Sequence, residues 1–271
     1  MNANGRLGEY LRARRERLHP EDVGLAVGIG RRRVEGLRRE EVAILAGIST
    51  EYYLRLEQGR DANPSGQVLE ALARALRLDS VASAYLRSLA RPETASTAVD
   101  HGDVVHESTR WLIESWPLTA AVVHSRYIDV LASNALARAL NPNFRPGVNS
   151  VLSLLSDPSE RVFHVDWEPL AARSIALLRN MADTHTGDAR LAALVAEGRA
   201  ASTLFGELWE RQDVIRVGDG THVLRHPDVG ELTLTYLRLP LVGTDGQSIF
   251  LYSAQPGSPS AARLERLAAA D

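Results

Sequence analysis

A short run of polar, aromatic and aliphatic residues, TEYYLR at 50–55, carries side chains that could contact the edges of DNA bases. An arginine donates to guanine, a glutamate accepts from cytosine, and a leucine or the methyl group of a threonine meets the methyl group of thymine. A helix turns by about 100° per residue, so Tyr53 and Leu56 share one face of this run. The candidate base-contacting residues lie on or beside the other face: Ser49, Thr50, Glu51, Tyr52, Leu54 and Arg55.

Arginines precede this run in two groups, which are Arg31, Arg32 and Arg33, then Arg38 and Arg39. All 31 basic residues of the chain are arginine, so guanidinium groups are its only strong cations for phosphate or carboxylate. The first group lies in an irregular segment at 19–37 that holds four glycines. Arginines there could grip phosphates or enter a minor groove. We predict DNA contacts for both groups, and a solvated arginine cluster is the alternative for the first.

A glycine break separates the 50–55 run from the apolar helix pattern before it. Val42 and Ala43 pack inward on the first helix, and Ala43 is small where a second helix would cross closely. Gly47 can adopt the left-handed conformation of a tight turn, Ile48 fills the turn and Ser49 caps the second helix. This pattern predicts a helix-turn-helix, whose second helix enters the major groove of DNA by its N-terminal residues. A helical hairpin within a structural bundle is the alternative.

Helical patterns extend over the first 90 residues. Leu7 to Leu18, a helix beginning at Ser65, and Val81 to Leu89 join the two helices around Gly47 to give five helices. The segment RPETASTAVDHGD at 91–103 has the composition of a linker. We therefore predict a DNA-binding domain at 1–91, a linker at 92–103 and a second domain at 104–271.

The second domain mixes helices with strands. Ala120 to His124 and Tyr127 to Ala132 predict a hairpin, and Asp213 to Val217 with Thr221 to Arg225 predict another. Gly230 to Leu239 alternates apolar and polar residues, and a last apolar run follows. The last run is Ser248 to Ser253, and the predicted helices are Val104 to Glu114, Glu168 to Met181, Arg190 to Glu197 and Leu204 to Gln212. We predict an α+β fold with an antiparallel sheet assembled mostly from the last third of the chain.

Composition narrows the class of protein. The 271 residues are enough for two modest domains, and the absence of cysteine excludes disulfides and thiolate metal sites. The N-terminal segment lacks the apolar core of a signal peptide, and no apolar run is long enough to predict a membrane span. We therefore expect a cytoplasmic protein. Residues 1–92 hold 16 arginines against 12 acidic residues, whereas 93–271 hold 15 against 22. This asymmetry favours nucleic acid as the partner of the first half.

Catalytic patterns are weak. No histidine pairs with a catalytic glutamate at the i, i+4 spacing of a helix, and no nucleophile elbow is present. His222 and His226 lie about 13 Å apart if both are on one strand, which disfavours chelation. Gly28-Ile29-Gly30 follows no strand and lacks the third glycine of a dinucleotide site. We predict no catalytic residue, no metal and no cofactor, with an enzyme tethered to DNA and a protein-interaction bundle as alternatives.

Longer stretches resemble known regulators. The run ending in Glu57, Gln58 and Gly59 is similar to the Cro and lambda-repressor, or Xre, type of helix-turn-helix. LGEYLRARRERLHPEDVGL, GRRRVEGLRREEVAILAGISTEYYLRLEQGRD and PSGQVLEALARALRLD resemble the DNA-binding domain of the MmyB-like transcription regulators of actinobacteria. DWEPLAARSIALLR, FGELWERQDVIRV, RHPDVGELTLTYLRL and LYSAQPGSPSAARLERLA resemble the ligand-binding domain of the same family.

The resemblance implies a fold and a function. It implies an all-α, five-helix, lambda-repressor-like helix-turn-helix domain followed by an α+β, PAS-like sensor domain with an antiparallel sheet. The protein would be a transcription regulator that binds a double-stranded DNA operator as a homodimer, without a membrane partner. A fatty acid is known to bind at least one relative, which suggests a small apolar ligand such as an acyl molecule. Ligand binding would then set the spacing of two reading helices across half-sites roughly 34 Å apart.

Such a ligand requires an apolar pocket with one polar end. The candidate apolar walls are Trp167, Leu170, Leu177, Leu204, Leu208, Trp209 and Tyr236. The candidate partners for a carboxylate, through charge-assisted hydrogen bonds, are Arg173, Arg211 and His226. His226 precedes Pro227, and proline in a strand is confined to an edge or a bulge, which often opens onto a cavity. A place in the core or on the surface is the alternative for each of these residues.

Overall fold

The computed structural model describes residues 3–25, 36–61, 63–90, 103–182, 188–215 and 219–269. The chain forms two compact units. The first consists of Met1–Ala95, Thr184–Ala189 and Glu207–Ile215, and the second consists of Ser96–Asp183, Arg190–Gly206 and Arg216–Asp271. The domain boundaries drawn from the sequence stay a prediction, and the proposed linker lies outside the described residues except for Asp103.

The first unit is a helical bundle. Its helices are α1 (Ala3–Arg17), α2 (Arg39–Ala46), α3 (Thr50–Glu57), α4 (Gly66–Ala75) and α5 (Ser80–Leu89). The side chains of Ser49, Ser65 and Asp79 cap α3, α4 and α5, because each accepts a hydrogen bond from the backbone N–H three residues later. The irregular segment begins with a 3-10 turn at Pro20–Val23, and its residues 26–35 lie outside the described residues.

The core of this unit draws residues from every helix. The largest of its fully buried side chains are Leu7, Tyr10, Leu11, Leu37, Tyr53, Leu56, Leu72 and Leu86. Gly8 of α1 lies against the end of α3, where an added Cβ would come within 2.2 Å of the carbonyl oxygen of Glu57. Only glycine permits so close a crossing of the two helices.

The second unit holds the remaining elements. Its helices include α6 (Glu107–Glu114), α7 (Ala135–Leu140), α8 (Ser150–Ser156), α9 (Pro158–Phe163), α10 (Trp167–Ala182), α11 (Ala189–Ala201) and α13 (Pro259–Ala269). α12 (Thr203–Glu210) begins in this unit and ends in the first. The strands are β1 (Ala120–His124), β2 (Val130–Ser133), β3 (Gly220–His226), β4 (Gly230–Pro240) and β5 (Ser248–Ser253).

The strands form one antiparallel sheet in the order β2-β1-β5-β4-β3. One face of the sheet buries Ala120, Val122 and Leu234 together with residues of α7 and α13. The opposite face buries Ala121, Val123 and Ile249 together with Val105, which precedes α6, and Ile113, which belongs to α6. Alternating side chains therefore build two separate cores on the two faces.

The predicted fold class is confirmed, because a helical helix-turn-helix region is followed by an α+β region with an antiparallel sheet. One predicted hairpin is wrong. Residues 213–215 form no strand, and β3 pairs instead with β4 across a turn at 227–229. Val214 is buried in the core of the first unit, which removes this segment from the sheet. Within the described residues, no helix is long and apolar enough to cross a membrane.

Four helices were not predicted from the sequence pattern: α7, α8, α9 and α13. The residues that cap or open these helices could have been recognised in the sequence. Asn134, Asn149 and Asp157 accept hydrogen bonds from the first turns of α7, α8 and α9, and proline opens α9 and α13. For α7, α8 and α9 the reason is length, because helices of six or seven residues present too few apolar positions for periodicity to reveal them, whereas the 11-residue α13 was simply missed.

Candidate functional site

The turn between α2 and α3 has the predicted geometry. Gly47 has φ of +67°, and its N–H donates to the carbonyl of Ile44 while the N–H of Ile48 donates to that of Ala43. The hydroxyl of Ser49 accepts from the N–H of Tyr52 at 3.1 Å and starts α3. These contacts fix α3 by local backbone geometry, which is how a helix-turn-helix presents its second helix.

The candidate base-contacting residues lie on the side of α3 away from the core. Ser49, Thr50, Glu51 and Arg55 are exposed, whereas Tyr52 and Leu54 are partly buried. These positions agree with the face predicted from the sequence, but contact with DNA stays a prediction for all six residues.

Arg55 is held loosely on this face. Its guanidinium lies 3.5 Å from Glu51 and 3.9 Å from Asp61, and its Cζ lies 5.4 Å from the centre of the Tyr52 ring. Exposed pairs of this kind contribute little stability, so a DNA base can replace them at small cost.

Below the exposed face, Glu57 joins three helices. Its side chain is 2% exposed, and its two oxygens accept from Nε of Arg15 and Nε of Arg39, both at 2.6 Å. Burial alone would raise the pKa of Glu57, but the two arginines outweigh it and hold that pKa below its usual value. Arg15 also donates to the carbonyl of Leu37 at 2.9 Å. The Glu-x-Gly signature thus supplies an internal clamp between α1, α2 and α3.

The predicted arginines fall into different positions. Arg39 is partly exposed, so it can hold Glu57 through Nε while the outer part of its guanidinium faces solvent. Arg38 is exposed, and its backbone N–H donates to Glu41 at 2.6 Å. Arg31, Arg32 and Arg33 lie outside the described residues.

The second unit contains a cavity of about 80 Å³ between α8, α9, α10 and the sheet. Leu140, Phe144, Phe163 and Leu224 supply apolar walls. Its polar end is the connected group Glu160, His164, His222 and Tyr252, and the other polar residues of the lining are Asn141, Ser150, Ser153 and Ser174. An apolar body closed by a few convergent polar groups is the usual composition of a small-molecule site.

Glu160 anchors the polar end. Its side chain is almost fully buried and accepts from Asn141 at 3.0 Å, from Asn143 at 2.7 Å and from Nε2 of His164 at 2.9 Å. Burial would raise the pKa of Glu160, but these donors, led by His164, hold that pKa below its usual value. An antiparallel bridge between His164 and Leu224 of β3 positions the imidazole.

Two other histidines of this unit have lowered pKa values. Burial, with the neighbouring charges of His164 and Arg173, lowers the pKa of His222 to about 4. Its ring lies 4.5 Å from the ring of Tyr236. Burial also lowers the pKa of His124 to about 3, and its Nε2 lies 2.9 Å from the hydroxyl of Ser150.

The structure brings few of the predicted ligand contacts to this cavity. Leu170 lines it, Tyr236 packs against the ring of His222, and the charge of Arg173 contributes to the lowered pKa of His222. Leu177 is buried, Trp167 donates Nε1–H to the carbonyl of Leu154, and Leu208, Trp209 and Arg211 belong to the first unit. The two ring nitrogens of His226 are engaged with the carbonyl of Ala139 and the N–H of Asp228, which gives this histidine a structural role.

Sequence reasoning missed Glu160 and His164 as a pair. Their i, i+4 spacing was the available signal, and the prediction that no histidine pairs with a glutamate at this spacing is wrong. The pair lies at the end of a short helix with no apolar periodicity, which concealed it. Within the described residues, no group of three or more metal-ligating side chains gathers.

The capped second helix in the first unit has the geometry of the class of helix-turn-helix DNA-binding proteins, and an α+β unit with an antiparallel sheet follows it. The sequence model of the MmyB-like transcription regulator ligand binding domain matches residues 105–267, and that of a helix-turn-helix domain matches residues 6–86. The first match covers more than half of the chain, so the chain belongs to the MmyB-like transcription regulator family. Among curated proteins, none matches the sequence significantly.

Proposed function

We propose that this DNA-binding transcriptional regulator reads a specific operator through α3 and senses a small apolar ligand in the cavity of its α+β unit. The observation that supports operator reading best is the Ser49-capped helix with Glu51 and Arg55 exposed beside Leu54. These side chains match the donor, acceptor and methyl groups of the major groove.

The cavity supports the sensing role. Its walls are aromatic and aliphatic, and its polar groups converge at one end. The resemblance to MmyB-like regulators adds a fatty acid or another acyl molecule as the ligand class to test first. In this proposal the ligand favours one conformation of the regulator over another. This requires that the ligand bind the two conformations with different affinities.

The regulator acts as a homodimer in the cytoplasm, where it meets its operator. Helix α6 supports the dimer, because Trp111 is 66% exposed and Leu112 is exposed beside it. Glu107, Arg110 and Glu114 lie along the same helix, so two antiparallel copies of α6 would set an arginine against a glutamate twice. Large exposed aromatic residues are typical of protein interfaces.

A catalytic role has less support. Nucleophilic catalysis needs a hydroxyl, an imidazole and an orienting acid in one chain of hydrogen bonds. Ser150 pairs with His124, whereas the carboxylate of Glu160 pairs with His164. Because the elements of a triad are divided between two histidines among the described residues, the geometry favours binding over catalysis.

The test combines native mass spectrometry with operator titration. Native spectra of the purified protein should show a dimer and any retained ligand. Protein stripped of small molecules should then differ from ligand-loaded protein in its affinity for an operator selected from random DNA. Identical affinities would contradict the sensing role, and weak, salt-insensitive binding to all DNA would contradict operator reading, since phosphate contacts make binding fall steeply with salt.

A further inference from the structure

The second unit has another pocket, which lies between the end of α6, the start of α7 and the last turn of α13. This α6–α13 pocket has a volume of about 190 Å³ and shares no lining residue with the cavity between α8, α9, α10 and the sheet. We propose that it binds a small organic cation, in which an amine or amidine is carried on a compact apolar body. The inference goes beyond the proposed function, because neither operator reading nor the first cavity involves these residues.

The frame of the α6–α13 pocket is held by one buried amide. Asn134 lines the pocket, is 2% exposed and spends its hydrogen-bonding groups on the backbone. Its partners are the carbonyls of Ile113, Trp116 and Thr119, at 3.0, 3.3 and 2.8 Å, and the N–H groups of Ala121 and Ala137, both at 3.0 Å. These bonds tie the end of α6, β1 and the start of α7 together. The pocket is therefore formed before a ligand arrives, so that little ordering is needed on binding.

The walls of the pocket suit an apolar body. Among the lining residues, Leu136 is buried, Trp116 and Ala268 are partly buried, and Pro117 is exposed. Aliphatic and aromatic walls with few polar groups are typical of small-molecule sites. Tryptophan is also the aromatic side chain that attracts cations most strongly.

The charge of the pocket comes from Glu114. This residue ends α6 and is exposed, and its carboxylate has no ion-pair or hydrogen-bond partner among the described residues. No arginine is among the described residues that line the pocket. A carboxylate without a counter-charge, in one pocket with a tryptophan, favours a cationic ligand over a neutral or anionic one.

The helix ends reinforce this sign. Both α6 and α13 end at the pocket, and the C-terminal end of a helix carries a partial negative charge. Helix α7 begins there and contributes the opposite partial charge. However, α7 has only six residues, and Asn134 already accepts the N–H of Ala137 in its first turn. The full charge of Glu114 therefore decides the sign of the ligand.

Size sets the scale of the ligand. An engineered apolar cavity of about 150 Å³ holds benzene, so a pocket of about 190 Å³ accommodates a benzene ring with a short charged group. Benzamidine is a cation of this size. Benzamide and benzoate have nearly the same shape but are neutral and anionic, so the three molecules separate the effect of charge from that of shape.

Proton–nitrogen NMR spectra of the full chain, followed at the indole N–H groups, test this site. The chain has four tryptophans, and Trp116→Phe identifies the resonance of Trp116. We expect benzamidine to shift this resonance saturably, with an affinity about tenfold or more above that of benzamide. Benzoate should leave the resonance in place. Because the signal comes from Trp116, binding of a probe in the first cavity is not mistaken for binding here.

Two pairs of substitutions assign the preference to its source. Glu114→Gln should remove the preference for benzamidine over benzamide, whereas Glu168→Gln, which removes an exposed carboxylate of α10, should leave it unchanged. Ala268→Leu fills the pocket and should weaken benzamidine binding about tenfold or more, whereas Ala269→Leu, at the next and exposed position of α13, should not. Thermal melts establish that each variant is folded, and the wild-type comparison of the three probes stands without them.

A second copy of the chain is the other source of a cation, since Glu114 also flanks the proposed contact between two α6 helices. Exposed ion pairs contribute little to an interface, so a dimer held by Trp111 should persist when benzamidine occupies the pocket. Sedimentation velocity with and without benzamidine measures this. Dissociation of the dimer in proportion to benzamidine binding would show that the pocket receives a guanidinium of the second copy, and would overturn the small-molecule inference.

The remaining outcomes concern the pocket itself. Equal affinities for benzamidine and benzamide, or a shift of the Trp116 resonance by benzoate, would overturn the selectivity for a cation. A benzamidine affinity that survives both Glu114→Gln and Ala268→Leu would place binding elsewhere and overturn the site. Neither operator binding nor the first cavity enters these measurements, so failure here is distinct from failure of the proposed function.

Discussion

Arg55 and Arg39 show how two arginines close to the same helix can serve different purposes. Arg55 makes only long, exposed contacts, so its guanidinium can turn to a base edge. Arg39 is tied through Nε to the buried Glu57 and offers its outer nitrogens in a fixed direction. A guanidinium group that can turn suits contact with base edges, and one held in a fixed direction suits contact with the regular phosphate backbone.

Replacing Arg55 should relax sequence recognition. Arg55→Ala is expected to lose roughly 1–3 kcal/mol of discrimination at one base position, because its donors no longer contact that base. Competition binding with single-base variants of the selected operator measures this loss. Arg60→Ala, at an exposed position just after α3, is the control. A uniform loss of affinity over all operator variants would show that Arg55 contacts phosphate instead.

Replacing Glu57 should destabilise the first unit. Glu57→Gln leaves the buried guanidinium of Arg15 with only the longer, 3.4 Å contact to the partly exposed Glu16, and is expected to cost roughly 2–4 kcal/mol. The cost stays below that of a wholly buried pair because Arg39 is partly exposed. Urea denaturation measures the change, with the exposed Glu51→Gln as the control. Equal stabilities of the two variants would contradict the clamp.

Acid should destabilise the second unit through its neutral histidines. His124 and His222 have folded-state pKa values of about 3 and about 4, against 6.5 for an unperturbed histidine. As pH falls below 6.5 the unfolded state takes up protons first, so stability declines until the folded-state values are reached, by up to about 1.4 kcal/mol per pH unit for each group. Urea titrations followed by tryptophan fluorescence at pH 7 and pH 5 test this. His222→Phe should reduce the slope, and an unchanged slope would refute the assignment.

At the scale of elements, local chemistry was predictable and long-range pairing was not. Gly47 and Ser49 predicted the turn and the start of α3 because a left-handed glycine and a cap are properties of adjacent residues. The clamp at Glu57 was not readable, since Arg15 lies 42 residues away. Glu160 and His164 could have been paired from their local i, i+4 spacing, whereas Asn141 and β3, which complete their surroundings, come close only on folding.

The crossing of α1 over α3 offers a matched pair of glycine substitutions. Gly8→Ala would place a methyl group 2.2 Å from a backbone oxygen of Glu57, which forces the helices apart. We expect a loss of roughly 1–3 kcal/mol, as for other overpacked sites. Gly5→Ala lies in the same helix with no atom within 4 Å of the added Cβ, so it should be neutral or stabilising. Thermal unfolding compares the two, and similar melting temperatures would argue against a close crossing.

At the scale of the whole molecule, subunit association should depend on α6. Trp111→Glu places a charge in the proposed contact between two copies and should yield monomers in sedimentation velocity experiments. Its affinity for a two-half-site operator should fall as well, because two reading helices would no longer be joined. Val162→Glu, on the exposed side of α9, is the control. A dimer that survives Trp111→Glu would place the interface elsewhere.

The first unit includes residues from late in the chain, which has a consequence for folding during synthesis. Val214 completes its buried core, and Asp213 forms ion pairs with Arg14 and Arg17 of α1. Both residues are translated more than 100 positions after α5 ends. During translation, the N-terminal bundle therefore lacks Val214 in its core and the ion pairs of Asp213 until residue 215 has left the ribosomal exit tunnel. Its final assembly belongs to the late phase of synthesis, although its helices are made first.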